Sequence, residues 1–452
     1  MQRTLMSKLK EWKSSPKRKP LLLKGVRQVG KTWLLKEFGR LSYANTAYFN
    51  FEQEPALKEL FEGALDPGRI VRRLSLHGHC AIEPYNTLLI LDEIQACPQA
   101  VTALKYFCEN APEYHVAAAG SLLGVLLSQP ASFPVGKVDF LNLEPLMFTE
   151  MLQALGETDL VAFMEDLDRI EKIPEVFYAP LKERLELYEV MGGMPEAVAS
   201  LALGDAHESV DECLMKILSA HEYDFLKHPK VTEIQRILGI WKTLPAQLSH
   251  ENRKFYFRQV KEGARAREYA QALGWLVSTQ MVKRVHRVKD PRLPLSAYLD
   301  ENAFKLYVCD VGLLRRLSAL PVTVFEAPKG SFTEFKGALT ENYVLQALQS
   351  AYPTEVYYYS QLKPPLEVDF LLPYQELVVP VEVKADLNLQ GRSLTKYQEL
   401  FNATTPLRVR FSLANLDLSG NLLNIPLFLA DKTPRLIDMA LRTLGVRVAS
   451  SG

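Results

Sequence analysis

The sequence predicts an α/β fold: a doubly wound parallel sheet over residues 20–125, then a helical segment and a second strand-bearing region. Two observations carry that prediction. Apolar runs of strand length, Leu21-Leu22-Leu23, Tyr48-Phe49-Asn50-Phe51, Thr87-Leu88-Leu89-Ile90-Leu91 and residues 115–119, alternate with helical stretches such as residues 32–39 and 100–110. The first run follows Pro20 and stops at Gly25, the pattern of a buried parallel strand that hands over to a loop and a helix.

Beyond residue 125 the pattern changes. Residues 145–240 read mainly as helices, and a helix-rich stretch over 230–290 ends in Gln280-Met281-Val282-Lys283-Arg284-Val285-His286-Arg287-Val288, which alternates like a strand pair or ribbon. Strands return from about Asp300, with a helix near residues 337–351. A chain of 452 residues exceeds one core, so boundaries are placed near 200 and 300. No Gly/Ser linker marks either, which predicts packed rather than tethered domains.

Composition narrows the function classes. Lys+Arg and Asp+Glu both total 53, so no whole-molecule charge draws the chain to nucleic acid or membrane, and such contact must rest on local patches. The five cysteines (Cys80, Cys97, Cys108, Cys213, Cys309) form no CxxC pair, which argues against a zinc site or disulfide framework. No apolar stretch reaches the length of a membrane span and residues 1–19 lack the apolar core of a secretory signal, so the expected location is cytoplasmic.

Gly25-Val26-Arg27-Gln28-Val29-Gly30-Lys31-Thr32 fits G-x-x-x-x-G-K-[ST] at every required position. The glycines let the loop backbone turn its N–H groups toward phosphates, and the helix that follows adds its positive N-terminal end. Lys31 is expected to reach the β- and γ-phosphates of ATP, and Thr32 to offer its hydroxyl to Mg²⁺. Arg27 has two open roles, contact with the γ-phosphate or packing of the loop. The apolar run that ends in Asp92-Glu93 delivers Asp92 to a strand's carboxyl end, where it would hold Mg²⁺ through water. Glu93 would orient and deprotonate the attacking water, a base that disfavours phosphate transfer to a small molecule. Ser121, at the tip of the strand begun at His115, is a candidate γ-phosphate sensor.

A second constellation lies near the carboxyl end. Asp369 sits in Leu366-Glu367-Val368-Asp369-Phe370, and Val379-Pro380-Val381-Glu382-Val383-Lys384 follows. On a strand, Glu382 and Lys384 share a face, with Val381 and Val383 buried opposite. An Asp followed by Glu-x-Lys on an adjacent strand is the arrangement of restriction-endonuclease-like enzymes, in which carboxylates hold Mg²⁺ or Mn²⁺ and the lysine assists the attacking water. Glu341 would add a third carboxylate from a preceding helix. The same residues also suit a hairpin with charges on its solvated face.

The ordered set of these segments resembles a widespread prokaryotic family of AAA-type ATPases with a C-terminal restriction-endonuclease-like domain of unassigned role. The P-loop, Leu91-Asp92-Glu93-Ile94-Gln95, Tyr188-Glu189-Val190-Met191-Gly192-Gly193-Met194-Pro195-Glu196, Asp310-Val311-Gly312-Leu313-Leu314, Gly337-Ala338-Leu339-Thr340-Glu341-Asn342 and the two nuclease-like strands carry the likeness. It implies an AAA-type ATPase domain with a helical lid over 1–204, a winged-helix-like section over 205–299 and a restriction-endonuclease-like domain over 300–452. The chain departs from that pattern in two places. Only Ser121 remains of a hydroxyl-rich Gly-Ser-Ser stretch, and Tyr358-Tyr359-Ser360 stands where an aromatic-Trp-Arg segment is usual.

In the middle section Arg253, Lys254, Arg258, Lys261, Arg265 and Arg267 surround Tyr256 and Phe257, and Lys283, Arg284, Arg287, Lys289 and Arg292 follow. Basic groups interleaved with aromatics suit DNA or RNA, through phosphate contact and base stacking. The expectation is an ATP hydrolase whose cycle controls a nuclease-like domain on nucleic acid. The rival is an ATP-driven switch for a protein partner, with that domain as scaffold. Homo-oligomerisation is left open.

Overall fold

Strands too apolar to face water set the architecture of this computed structural model, which describes residues 2–120, 134, 136–226, 230–250, 252–322, 335–352, 355–387 and 392–446. The chain divides into two units, Met1–Glu144 with Gly274–Met281, and Pro145–Leu273 with Val282–Gly452.

In the first unit, β1 (Leu21–Lys24), β2 (Asn45–Asn50), β3 (Thr87–Asp92), β4 (His115–Ala119) and β5 (Asp139–Asn142) form one sheet in the order β2-β3-β4-β1-β5. Every neighbouring pair is parallel. β3 and β4 are buried along their whole length, as continuous apolar runs require. The helices Lys31–Ser42, Pro67–His77 and Pro98–Asn110 lie between strands in the chain. Asp66 starts the second by accepting the Arg69 N–H at 2.8 Å, with Pro67 in the first turn where its missing N–H costs nothing. Leu22, Phe49, Leu89, Leu91, Phe107 and Val116 join one core; burial of each such side chain is worth about 1.5–3 kcal/mol. Parallel strands end on the same side of a sheet, so the carboxyl ends of β1 and β3 open together with β4 between them.

The second unit begins with helices, including Phe148–Ala154, Glu175–Met191, Pro195–Ala202, His207–Phe225 and Val231–Ser249. It continues into β6 (Val282–Val288), β7 (Leu299–Val308), β8 (Tyr357–Leu362), β9 (Pro365–Tyr374), β10 (Leu377–Val383), β11 (Arg408–Ser412), β12 (Asp417–Ser419) and β13 (Leu422–Pro426). These make a mixed sheet in the order β12-β13-β11-β10-β9-β8-β6-β7. The ribbon read around residues 280–288 is β6, antiparallel to β7 and parallel to β8. A boundary near 300 therefore falls inside a hairpin that belongs to the large sheet, and the geometric division differs from the three segments read in the sequence. β10 differs too. It lies between β9 and β11, and helices Lys336–Ala351 and Ser393–Phe401 both pack on it, so Glu382 is buried rather than on a solvated face.

A dense junction in this unit explains two of the motifs. Asp310, fully buried, accepts N–H groups from Leu313 at 3.0 Å, starting the Val311–Leu317 helix, and from Gly193 at 2.6 Å. A Cβ at Gly193 would lie 2.0 Å from the Leu146 carbonyl oxygen, and one at Gly312 would lie 2.3 Å from that of Met191. Gly193→Ala should therefore force backbone apart and destabilise the second unit by about 1–3 kcal/mol or more, read as a lower denaturant midpoint. An unchanged midpoint would mean that this junction is loose.

Candidate functional site

The loop after β1 is built by close approach. A Cβ at Gly25 would meet the Leu143 carbonyl oxygen at 2.5 Å and Val29 Cγ1 at 2.9 Å, so only glycine fits there. Gly30, at φ +95°, stands at the start of the Lys31–Ser42 helix. Val26 and Val29 are buried and anchor the loop, while the Lys31 ammonium turns into it and donates to the carbonyls of Gly25 at 2.7 Å and Val26 at 3.0 Å. Arg3 braces the loop from the chain's start, donating to the carbonyls of Val29 at 3.2 Å and Glu144 at 2.5 Å.

Asp92 ends β3 with its carboxylate almost wholly buried. Three donors satisfy it: the Thr32 hydroxyl at 2.7 Å and the Tyr48 phenol at 2.9 Å on Oδ2, and the Glu93 N–H at 3.0 Å on Oδ1. The Asn50 amide reaches the Tyr48 oxygen at 3.1 Å, and burial pushes the Tyr48 hydroxyl up to about 12. Glu93 adopts a left-handed conformation, φ 48° and ψ 42°, which breaks strand alternation directly after Asp92, and the Gln95 side-chain amide donates to its carboxylate. A hydroxyl and a carboxylate already in contact are the hard oxygen donors that Mg²⁺ takes, so Thr32 and Asp92 fit that ion. Tyr48, Asn50 and Arg3 went unread in the sequence. The available signal was two polar-tipped residues at i and i+2 on the strand beside β3, where Asn50 pairs in register with Asp92. Ser121 lies outside the described residues.

The carboxyl-terminal residues gather differently from the expected metal site. Glu341, buried on the Lys336–Ala351 helix, accepts from Arg253, from the Tyr307 phenol and from Lys305 at 3.3 Å. Burial alone would raise its pKa, but Arg253 and Lys305 hold it below the usual carboxylate value. Lys305, fully buried on β7, also pairs with Glu367 at 2.9 Å, and its carboxylate neighbours keep it charged despite burial. Asp369 on β9 accepts the Val383 N–H at 2.8 Å; burial and the nearby Glu341 push it up to about 7. Extending the register Val381–Phe370 by one pair sets Asp369 opposite Glu382, and Lys384 lies 3.3 Å from Glu382. Among the described residues no group of three His, Cys, Asp or Glu side chains could hold a metal ion. The third expected ligand, Glu341, is instead saturated by two cations and a phenol.

The basic middle section is partly spent internally. Arg253 is committed to Glu341, Arg287 to Asp300 and Arg292 to Asp290. Phe257 packs against Phe255, Tyr269 and Phe304 rather than presenting a free face. Arg258, Lys261, Arg265 and Arg267 are exposed. Among the described residues no helix is long and apolar enough to cross a membrane.

Residues 17–152 match the AAA domain family. Residues 182–323 and 336–428 match two domains of unknown function, DUF8612 and DUF4143. The stretch similar to an AAA domain contains the P-loop and Asp92-Glu93. No curated protein matches the sequence. Among solved structures, the Walker-type ATPase PABY2304 of Pyrococcus abyssi is similar at 15% identity, with 69% of this chain and 94% of that chain covered and a TM-score of 0.45. The ORC1 protein of Aeropyrum pernix in complex with DNA is similar at 15% identity, covering 72% and 92%, with a TM-score of 0.24. AMPPCP-bound DnaA of Aquifex aeolicus is similar at 16% identity, covering 60% and 84%, with a TM-score of 0.24.

Without Arg253 the buried Glu341 carboxylate keeps Lys305 alone of its two cations, and Lys305 is shared with Glu367. Arg253→Ala should lower the stability of the second unit by about 3–5 kcal/mol, seen in denaturant unfolding, with Arg253→Lys intermediate. Wild-type stability in Arg253→Ala would return this arginine to the pool of surface cations.

Proposed function

We propose that the protein is a Mg²⁺-dependent ATP hydrolase that works as a switch, and that its second unit acts by binding nucleic acid. The observation that carries the first part is the Thr32–Asp92–Tyr48 hydrogen-bond set, with Glu93 turned out of the strand beside it. Bound Mg²⁺ would neutralise phosphate charge as the terminal phosphoanhydride breaks. The residues supply the rest. Loop N–H groups and Lys31 would hold the phosphates, and Thr32 and Asp92 would hold the metal. Tyr48 fixes the Asp92 rotamer. Glu93, steadied by Gln95, takes the proton of the attacking water.

For the second unit, binding is favoured over cleavage because Arg253 and Lys305 already neutralise Glu341. One feature supports the nuclease as a second reading: Asp369 and Glu382 stand opposite one another with Lys384 alongside. Calorimetric titration with Mn²⁺ and no nucleotide separates the two. Heat lost in Asp369→Ala favours the nuclease, and identical titrations leave the carboxylates as an internal ion cluster.

The hydrolase reading makes a paired prediction. Lys31→Ala should lose ATP binding, because the phosphates lose their cationic partner. Glu93→Gln should bind ATP normally and hydrolyse it roughly 10²–10⁴-fold more slowly. Nucleotide titration and phosphate release test both, and a wild-type rate in Glu93→Gln would displace Glu93 as the base.

A further inference from the structure

A cavity of about 620 Å³ opens in the second unit between the 252–256 loop, the β8–β9 turn and the start of the Ser393–Phe401 helix. The loop that forms one wall is fixed to β7: Lys254 bridges Lys305 through backbone, and the Phe255 N–H donates to the Phe304 carbonyl at 2.9 Å. Lys254, Arg392 and Lys396 line the cavity, and among the described residues none of the three has an acidic partner. The other charged lining groups are committed, Arg287 to Asp300 and Glu367 to Lys305. The site therefore carries three uncompensated positive charges on two elements, Lys254 on the loop and Arg392 and Lys396 on the first turn of the Ser393–Phe401 helix.

Its aromatic component is equally defined. The half-buried Tyr256 ring has the Lys254 ammonium 5.6 Å and the Arg258 guanidinium 5.2 Å from its centroid, and its hydroxyl accepts from Asn252 at 3.2 Å. Leu362, 89% exposed at the β8–β9 turn, adds apolar surface to the same lining. We infer that this cavity is a binding site for single-stranded nucleic acid, with Lys254, Arg392 and Lys396 on the phosphates and Tyr256 under a base. The chemistry is specific: dispersed cations neutralise a backbone, and an aromatic face between cations accepts a base of any identity. The volume lies in the range of pockets for small ligands, which suits an unpaired nucleotide. The inference rests on the proposal that the second unit binds nucleic acid and locates the contact.

Fluorescence polarisation of a short labelled single strand, with the full chain in EDTA, tests it across a salt series. Lys254→Ala with Lys396→Ala should weaken binding and reduce the log–log salt slope by about 0.7 per lost contact. Tyr256→Ala should weaken binding roughly 5- to 150-fold with the slope unchanged, and Tyr256→Phe should restore it. Lys396→Glu, a single change at a half-buried side chain, repeats the test where the double variant folds poorly. Exposed cations outside the cavity, Lys261 and Arg267, serve as controls and should matter less. Wild-type affinity in every cavity variant, with loss in the controls, overturns the site while nucleic-acid binding stands. No binding by the wild-type chain removes the reading beneath it. Equal displacement of the strand by a mononucleotide at the same concentration overturns the assignment to a strand.

Discussion

The contact of 2.7 Å between the Thr32 hydroxyl and the Asp92 carboxylate is the constraint on which the first unit depends. It joins the first turn of a helix that leaves β1 to the last residue of β3, two strands kept apart by β4. A buried carboxylate without partners would cost several kcal/mol, and here three donors remove that cost while holding both oxygens in fixed directions. In the proposed function the same donors fix the carboxylate beside the Thr32 hydroxyl, the group that would share its cation. Arg3 and the tight approach at Gly25 hold the loop against this fixed point.

The second unit solves the opposite problem. Glu341, Glu367 and Asp369 bring three carboxylates near one another, and the protein answers with its own cations. Lys305 is shut off from water, yet stays charged because those carboxylates outweigh its desolvation. A cation built into the chain lowers the demand for a metal ion at this place, which is why binding is preferred to cleavage in the proposed function. Lys254, Arg392 and Lys396 lie outside that cluster, at the neighbouring cavity, and have no acidic partner among the described residues.

The sequence made the local features legible and the through-space ones opaque. Eight consecutive residues encode the P-loop, and their meaning needs no knowledge of the fold beyond strand and helix. Asp92 and Glu93 were readable because they end an unbroken apolar strand. Tyr48 was not, since its role follows from which strand lies beside β3. Strand β5 escaped because an edge strand with no fully buried residue carries no strong apolar run. Glu382 looked solvated from alternation alone, but its strand became central once β11 paired with it. Arg253 looked like part of a basic patch, and only the fold brings Glu341, far along the chain, to meet it.

In the proposed function Asp92 and Thr32 form a metal-dependent nucleotide site. The most direct measurement is ATP affinity of wild type and Asp92→Asn with Mg²⁺ and with EDTA. The substituted amide can keep its oxygen toward Thr32 and Tyr48 but then sets its NH₂ against the Glu93 N–H, and it loses the negative charge, so the variant should gain little from Mg²⁺ over its own affinity for ATP in EDTA. An equal gain from Mg²⁺ in both proteins would contradict the account.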